Sequence, residues 1–285
     1  MPDATSYGSE PTLLERGDGA AEIRFQRRGG VSALAYLYQH APCRVLFPKP
    51  PTGELPTAVM LTTSGGLTGG DRIAISIAAE TGAQATVTTQ AAEKIYRSAG
   101  PDCVIDVNLS VERDSWLEYL PQETILFEGA RLRRRTQATV APGGRLLAGE
   151  MLVFGRLARG ELFRHGLMRE EWRVRREGPL AWMDVLLLNG EIEAKLDAAA
   201  GFDGAHALAS SVYVGDDAPS LLETARALTV EGDCRCGVSL VRGVLVARFL
   251  GPDPVRVRQA LMRYLGGMRE TAAGLSNRMP PVWYH

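Results

Sequence analysis

From Ile73 to about Leu188 the chain repeats one pattern, a short run of apolar–polar alternation followed by a turn. In the clearest run Cys103, Ile105, Val107, Leu109 and Val111 alternate with Val104, Asp106, Asn108, Ser110 and Glu112. Successive strand side chains point to opposite faces, so this period of two describes a half-buried strand. Ile73, Ile75 and Ile77 alternate in the same way, as do residues 132–140. Turns are written at Thr81-Gly82-Ala83, Gly100-Pro101, Pro121-Gln122-Glu123-Thr124 and Ala141-Pro142-Gly143-Gly144. Short strands with a turn every ten or so residues predict an all-β chain. The last third is mixed. Leu221, Leu222, Ala225 and Leu228 have helical spacing, as do Val257, Leu261, Tyr264 and Leu265, where Gly266-Gly267 is expected to interrupt. A hairpin is expected around Arg242-Gly243, and the closing Met279–His285 stretch, with its two prolines, is expected to be neither helical nor central strand. Residues 42–56, rich in proline, read as a loop. No repeat of 20–50 residues is evident by eye. The boundaries read from these signals are a flexible N-terminal arm over 1–21 and one domain over 22–285.

Around Ser64-Gly65-Gly66-Leu67-Thr68-Gly69-Gly70-Asp71, two glycine pairs demand a tight, shaped loop. A phosphate loop needs Gly-Lys-Ser/Thr at its end, and here Asp71 places a negative charge instead. The dinucleotide pattern fails because Leu67 occupies its second glycine position. An enzyme using this loop for a nucleotide is thus the weaker alternative to a bulged structural loop.

The 285 residues carry 33 acids and 32 Lys plus Arg, so the basic excess of a nucleic-acid binder is missing. No apolar run reaches membrane-spanning length, and residues 1–21 contain no signal-peptide h-region. Four cysteines are too few to frame a chain this long, and a reduced, cytoplasmic protein is expected. Cys234-Arg235-Cys236 puts two sulfurs on one strand face, read as buried packing in register with Val238 and Leu240, or else as a soft-metal thiol pair. The run Arg131, Arg133, Arg134, Arg135 reads as a solvated face or a partner-facing patch. The four histidines are scattered without metal-ligand spacing, and no serine-hydrolase elbow occurs. With no catalytic constellation, composition and spacing point to binding or assembly.

Three blocks carry a resemblance. The glycine loop is followed by Thr88-Thr89-Gln90-Ala91-Ala92-Glu93-Lys94-Ile95-Tyr96-Arg97-Ser98; then come Leu117-Glu118-Tyr119-Leu120-Pro121-Gln122-Glu123-Thr124 with Ile125–Ala130, and Phe154-Gly155-Arg156 with Gly160–Phe163. In order and spacing they resemble the urease accessory protein UreD family, also called UreH, from about residue 22 to the end. The chain departs from the family's common pattern with Thr62-Thr63-Ser64 in place of His-Pro-Pro, with Gln90 for a proline and with Tyr119 for a tryptophan. The resemblance implies a mostly β fold, a β-helix-like stack of sheets with about two helices in the C-terminal third. It implies a maturation chaperone and no enzyme: a scaffold that binds apo-urease subunits and, through UreF, recruits the GTPase UreG for GTP-dependent nickel insertion, with a possible dimer inside the accessory complex. No tightly bound cofactor is implied, only transient Ni²⁺ in an internal passage. Asp71 and Glu93 are the candidate lining residues by their place in the motif. Gly65, Gly66, Gly69, Gly70, Lys94, Tyr96, Pro121, Gln122 and Glu123 are motif residues expected to act structurally. A scaffold for another metallocentre, such as iron–sulfur assembly, is the remaining alternative. The apolar end of the chain, Pro280-Pro281-Val282-Trp283, is expected to be an exposed contact for UreF.

Overall fold

Alternation this regular can be satisfied only if each strand lays its apolar face on a shared interior. The computed structural model describes residues 16–176, 178–229 and 234–284. The chain runs β1 (Asp18–Arg28), β2 (Val31–His40), β3 (Cys43–Leu46), β4 (Thr57–Thr62), β5 (Arg72–Ala79), β6 (Gln84–Thr89), β7 (Glu93–Ile95), β8 (Cys103–Val111) and β9 (Trp116–Leu120). It continues as β10 (Thr124–Leu126), β11 (Arg131–Val140), β12 (Arg145–Phe154), β13 (His165–Arg176), β14 (Leu180–Glu191), α1 (Glu193–Asp197), β15 (Ala207–Val214), α2 (Leu222–Ala227), β16 (Arg235–Val241), β17 (Val244–Gly251) and α3 (Pro254–Ala273).

Two sheets face each other. The first has the order β14-β13-β11-β8-β5-β1-β2, and the second β16-β17-β15-β12-β9-β6-β4-β3. From β4 to β13 the chain crosses between them at almost every step, so β5, β8, β11 and β13 stack in parallel in one sheet while β4, β6, β9 and β12 stack in parallel in the other. This is a β-helix-like coil. Its turns place Thr86 beside Glu118, 32 residues on, and Asp102 beside Arg131, 29 residues on. The repeat is therefore one of backbone path; the sequence conceals it because each coil fills its inner positions with different side chains. The predominance of strand agrees with the expected all-β architecture.

Ile73, Ile77, Val107, Leu109, Ala138 and Val174 from the first sheet meet Val87, Leu117, Leu146 and Phe154 from the second to form the inner core. A second core lies on the outside of the second sheet, beneath α3, which buries Val257, Leu261, Tyr264, Leu265 and Met268 there. Asp253 caps α3 by accepting the Val255 N–H, and Pro254 follows at the first helical position, where a missing donor costs nothing. The helix is tied down by a buried ion pair, Arg269 Nε to Glu118 Oε1 at 2.8 Å. No helix among the described residues is long and apolar enough to cross a membrane.

Several expectations are corrected. Residues 18–21, placed in the arm, already belong to β1, whose parallel pairing with β5 begins at Asp18↔Arg72; residues 1–15 lie outside the described part. The proline-rich stretch holds β3, paired with β4. Gly266-Gly267 does not interrupt α3. Cβ atoms there would lie 2.2 Å from Asn277 O and 2.4 Å from Leu228 Cδ2, so the pair exists to let the helix touch its neighbours. Residues 281–284 form one 3₁₀ turn. The tail is anchored through its tryptophan, while Pro281 and Tyr284 stay exposed: Trp283 is 1% exposed, and its Nε1–H reaches Thr88 Oγ1 and the Leu120 carbonyl. Replacing Trp283 by Ala should therefore cost about 3–5 kcal/mol of folding free energy, read as a lower denaturation midpoint; removal of residues 268–285 should leave no folded protein.

Candidate functional site

The glycine loop is built against β7. The Leu67 N–H donates to the Lys94 carbonyl at 2.7 Å and the Leu67 carbonyl accepts from the Tyr96 N–H at 2.7 Å. Gly66 lies at φ +145°, where a Cβ would meet Tyr96 Cε2 at 2.5 Å; at Gly69 a Cβ would meet Ser98 Oγ at 1.9 Å. Glycine is required at both by close approach. The Tyr96 hydroxyl donates to the Gly65 carbonyl, and its ring stands edge-on to Phe127 at 4.8 Å. Asp71 closes the loop: Oδ2 accepts from Thr68 N–H at 2.7 Å and Oδ1 from Gly17 N–H at 2.8 Å. The N–H groups of Leu67, Thr68 and Gly70 are thus consumed within the chain, the last by the Asp102 carbonyl. Gln122 is a junction: its Nε2 donates to the Thr89, Gln90 and Val282 carbonyls, and its Oε1 accepts from Arg258. Glu123 pairs with Arg258 at 3.2 Å, and Pro121 is buried beside them.

Asp71 and Glu93, expected together, are separated in role. Asp71 is absent from the cavity that Glu93 lines. That cavity, of about 190 Å³, lies between the sheets, with Ile73, Ile75 and Ile105 on one side and Thr62, Tyr119 and Thr124 on the other. Glu93 accepts from Thr62 Oγ1 at 3.0 Å. Burial pushes its carboxyl above the ordinary glutamate range, opposed by the Thr62 hydroxyl and the Lys94 N–H. Cys43 shares the cavity; burial, with the nearby Glu93 charge, pushes its thiol up to about 11, so it presents a protonated and poor metal ligand at neutral pH. Cys236 and Cys234 are both half-buried against the core beneath α3; Cys236 shares its strand face with Val238 and Leu240, the expected packing register.

The centre of the molecule holds a cluster that the sequence reading missed. Arg134, placed in a solvated run, points inward from β11. Its Nε pairs with Glu170 Oε2 at 2.8 Å, its Nη1 donates to Thr124 Oγ1 at 2.9 Å, and its Nη2 lies 3.3 Å from Glu150 Oε2. The Trp172 indole N–H donates to the other Glu150 oxygen. Arg134 lines the first cavity. Glu150 and Glu170 line a second, of about 270 Å³, with Trp172, Asp184, Ser210 and Arg248. One guanidinium and its two carboxylates therefore form the partition between the two cavities. Burial pushes Glu170 well above the ordinary glutamate range, against the pull of the Arg134 charge and helped by the charge of Glu150, and burial raises Glu150 in the same direction. The available signal was parity: Arg134 sits at the same strand phase as Leu132, Thr136 and Ala138, all inward. No three His, Cys, Asp or Glu side chains among the described residues are grouped to hold a metal.

Replacing Arg134 by Met should leave two buried carboxylates without their cation. The expected loss is about 3–5 kcal/mol at neutral pH. A carboxyl whose folded pKa is raised favours folding below its ordinary value near 4.5 and costs stability as pH rises through the folded value. The penalty should therefore shrink as pH falls toward 4, which chemical denaturation at several pH values will read.

Comparison with known proteins agrees with this frame. The family model described as "UreD urease accessory protein" matches residues 17–284. A protein named urease accessory protein UreD from Magnetococcus marinus is 42% identical over 288 residues, covering 99% of both chains. Proteins of the same name from Rhodopseudomonas palustris (strain BisA53) and a Methylobacterium species are 40% identical over 277 residues and 41% over 260, covering 96% and 90% of this chain and 94% and 90% of theirs. With its glycine loop, coil and inner core all inside the matched span, the chain belongs to the UreD urease accessory protein family.

Proposed function

We propose that this chain is a maturation chaperone for urease, without catalytic activity of its own. It binds the apo-urease subunits in the cytoplasm and, with UreF and UreG, supports GTP-dependent nickel insertion. Nickel crosses its interior by way of the two cavities. The observation that carries this reading is the partition itself: carboxylates at Glu93, Glu150, Glu170 and Asp184, with the Arg134 guanidinium among them, place charged groups along the two cavities between the sheets.

The chemistry suits a cargo ion. A cage of thiolates or imidazoles would hold Ni²⁺ too firmly to release it, whereas single carboxylates are weak sites for a borderline metal. A dication arriving beside Glu150 and Glu170 favours their ionised forms, which burial otherwise disfavours. Arg134 opposes entry by its charge, yet two carboxylates outweigh one guanidinium, so the deprotonated partition attracts a cation. Glu93 lines the first cavity where burial raises its carboxyl, a kind of perturbation that clusters at functional sites.

The test is genetic and analytical. In a strain lacking this gene, urease should assemble yet be nickel-poor and inactive; normal activity at limiting nickel would refute the role. Glu93→Gln should preserve the accessory complex and lower the nickel content of the urease it matures. Asp71→Asn, which keeps one acceptor and loses the other, should lower the melting temperature and leave nickel loading of the surviving complex unchanged.

A further inference from the structure

The strands β7 and β10 have two faces. On the inner one, Glu93 and Thr124 line the first cavity. The outer one floors a groove of about 600 Å³, bounded by the 3₁₀ turn Leu157–Arg159 and the first turns of α3. The floor is apolar, with Ile125, Phe127, Met151 and Val153, and Val255 on the far wall is 62% exposed. The rim is cationic: Lys94, Arg156, Arg159 and Arg258.

The acids within the groove are already committed. Glu123 pairs with Arg258, and Asp253 caps α3 through the Val255 N–H. Arg156 stacks over the Phe127 ring at 4.4 Å and pairs with Glu161. Lys94 and Arg159 make no ion pair among the described residues, and both are exposed. The groove is thus an apolar trough with two unpaired cations on its rim, the kind of exposed patch that marks an interaction site. Such a trough has the composition of a binding groove for an amphipathic helix, which presents anchors at every third or fourth residue and charges at its flanks. A second copy is a poor occupant, because a two-fold contact would set this cationic rim against itself.

We propose that the groove is the docking site for an acidic amphipathic helix of a partner protein. Apolar side chains of that helix would lie on Ile125, Phe127 and Val255, and its carboxylates would reach Lys94 and Arg159. Lys94 lines both the groove and the first cavity, so the docked helix would stand at the wall behind which Glu93 lies. The identity of the partner as a member of the urease maturation assembly rests on the function proposed above; the chemistry of the groove does not.

The test uses the full chain co-expressed with the urease gene cluster, with the photo-crosslinking residue p-benzoylphenylalanine incorporated at Val255. The crosslinked peptide, identified by mass spectrometry, is expected to come from another protein and to carry apolar residues at helical spacing together with at least two Asp or Glu. Lys94→Glu combined with Arg159→Glu should weaken binding of that protein by about tenfold or more at low salt, with an unchanged melting curve, since both side chains are exposed. A crosslink to a second copy, a crosslink to a segment without acids, no crosslink, or affinity unaffected by the double reversal would each overturn the proposal. If affinity is unaffected while deletion of the gene still leaves urease nickel-poor, the groove assignment falls and the maturation role stands.

Discussion

Two sheets that face each other through an apolar interior are joined at their centre by one charge shared between them. Arg134 comes from the first sheet, as does Glu170, and Glu150 comes from the second. Burying three charges is costly, and a well-packed apolar trio would serve stability as well or better. Their retention here divides the space between the sheets into two cavities and gives the division a polarity that the surrounding leucines and valines cannot supply. A second buried pair, Arg269 with Glu118, does the corresponding work on the outer side, where it fixes α3 to the sheet. Each polar link sits in its own apolar core, and the coil is built around both.

Most of the fold was legible because it is dictated strand by strand. Ile73 and Ile77 of β5 and the inward residues of β8 are buried as the alternation requires, and Ile75 is half-buried where it lines the first cavity. Helical spacing located α2 and α3. What could not be read was anything set by distant packing. The coil repeat is hidden because inner positions differ from turn to turn. The glycine pair in α3 resembles an interruption until Asn277 and Leu228 are seen to press on it. The tail looks like an unsatisfied surface because the cleft that receives Trp283 is made by residues about 160–200 positions earlier.

The site was legible only in part, for a related reason. Asp71 and Glu93 are adjacent in the motif logic, yet the loop consumes the first as a double acceptor for backbone N–H groups and leaves the second facing open space. Arg134 is masked by neighbours: three flanking arginines on the solvated phase of the strand make a single inward one look like part of a surface run. Glu150 and Glu170 carry no local sign at all, since what distinguishes them is a partner on another strand.

The central claim is that nickel moves through the interior, past the partition, toward urease. Ser210 on β15 lines the second cavity directly beside Glu150 and carries none of the charge. Ser210→Trp would fill that cavity with an inert ring and leave every carboxylate in place. The measurement is the nickel content of urease matured with this variant, alongside its melting curve and its recovery in the accessory complex. Normal folding and assembly with nickel reduced to the level of a strain lacking the gene is the predicted result. Wild-type nickel loading by a folded Ser210→Trp chain would contradict transport through the interior.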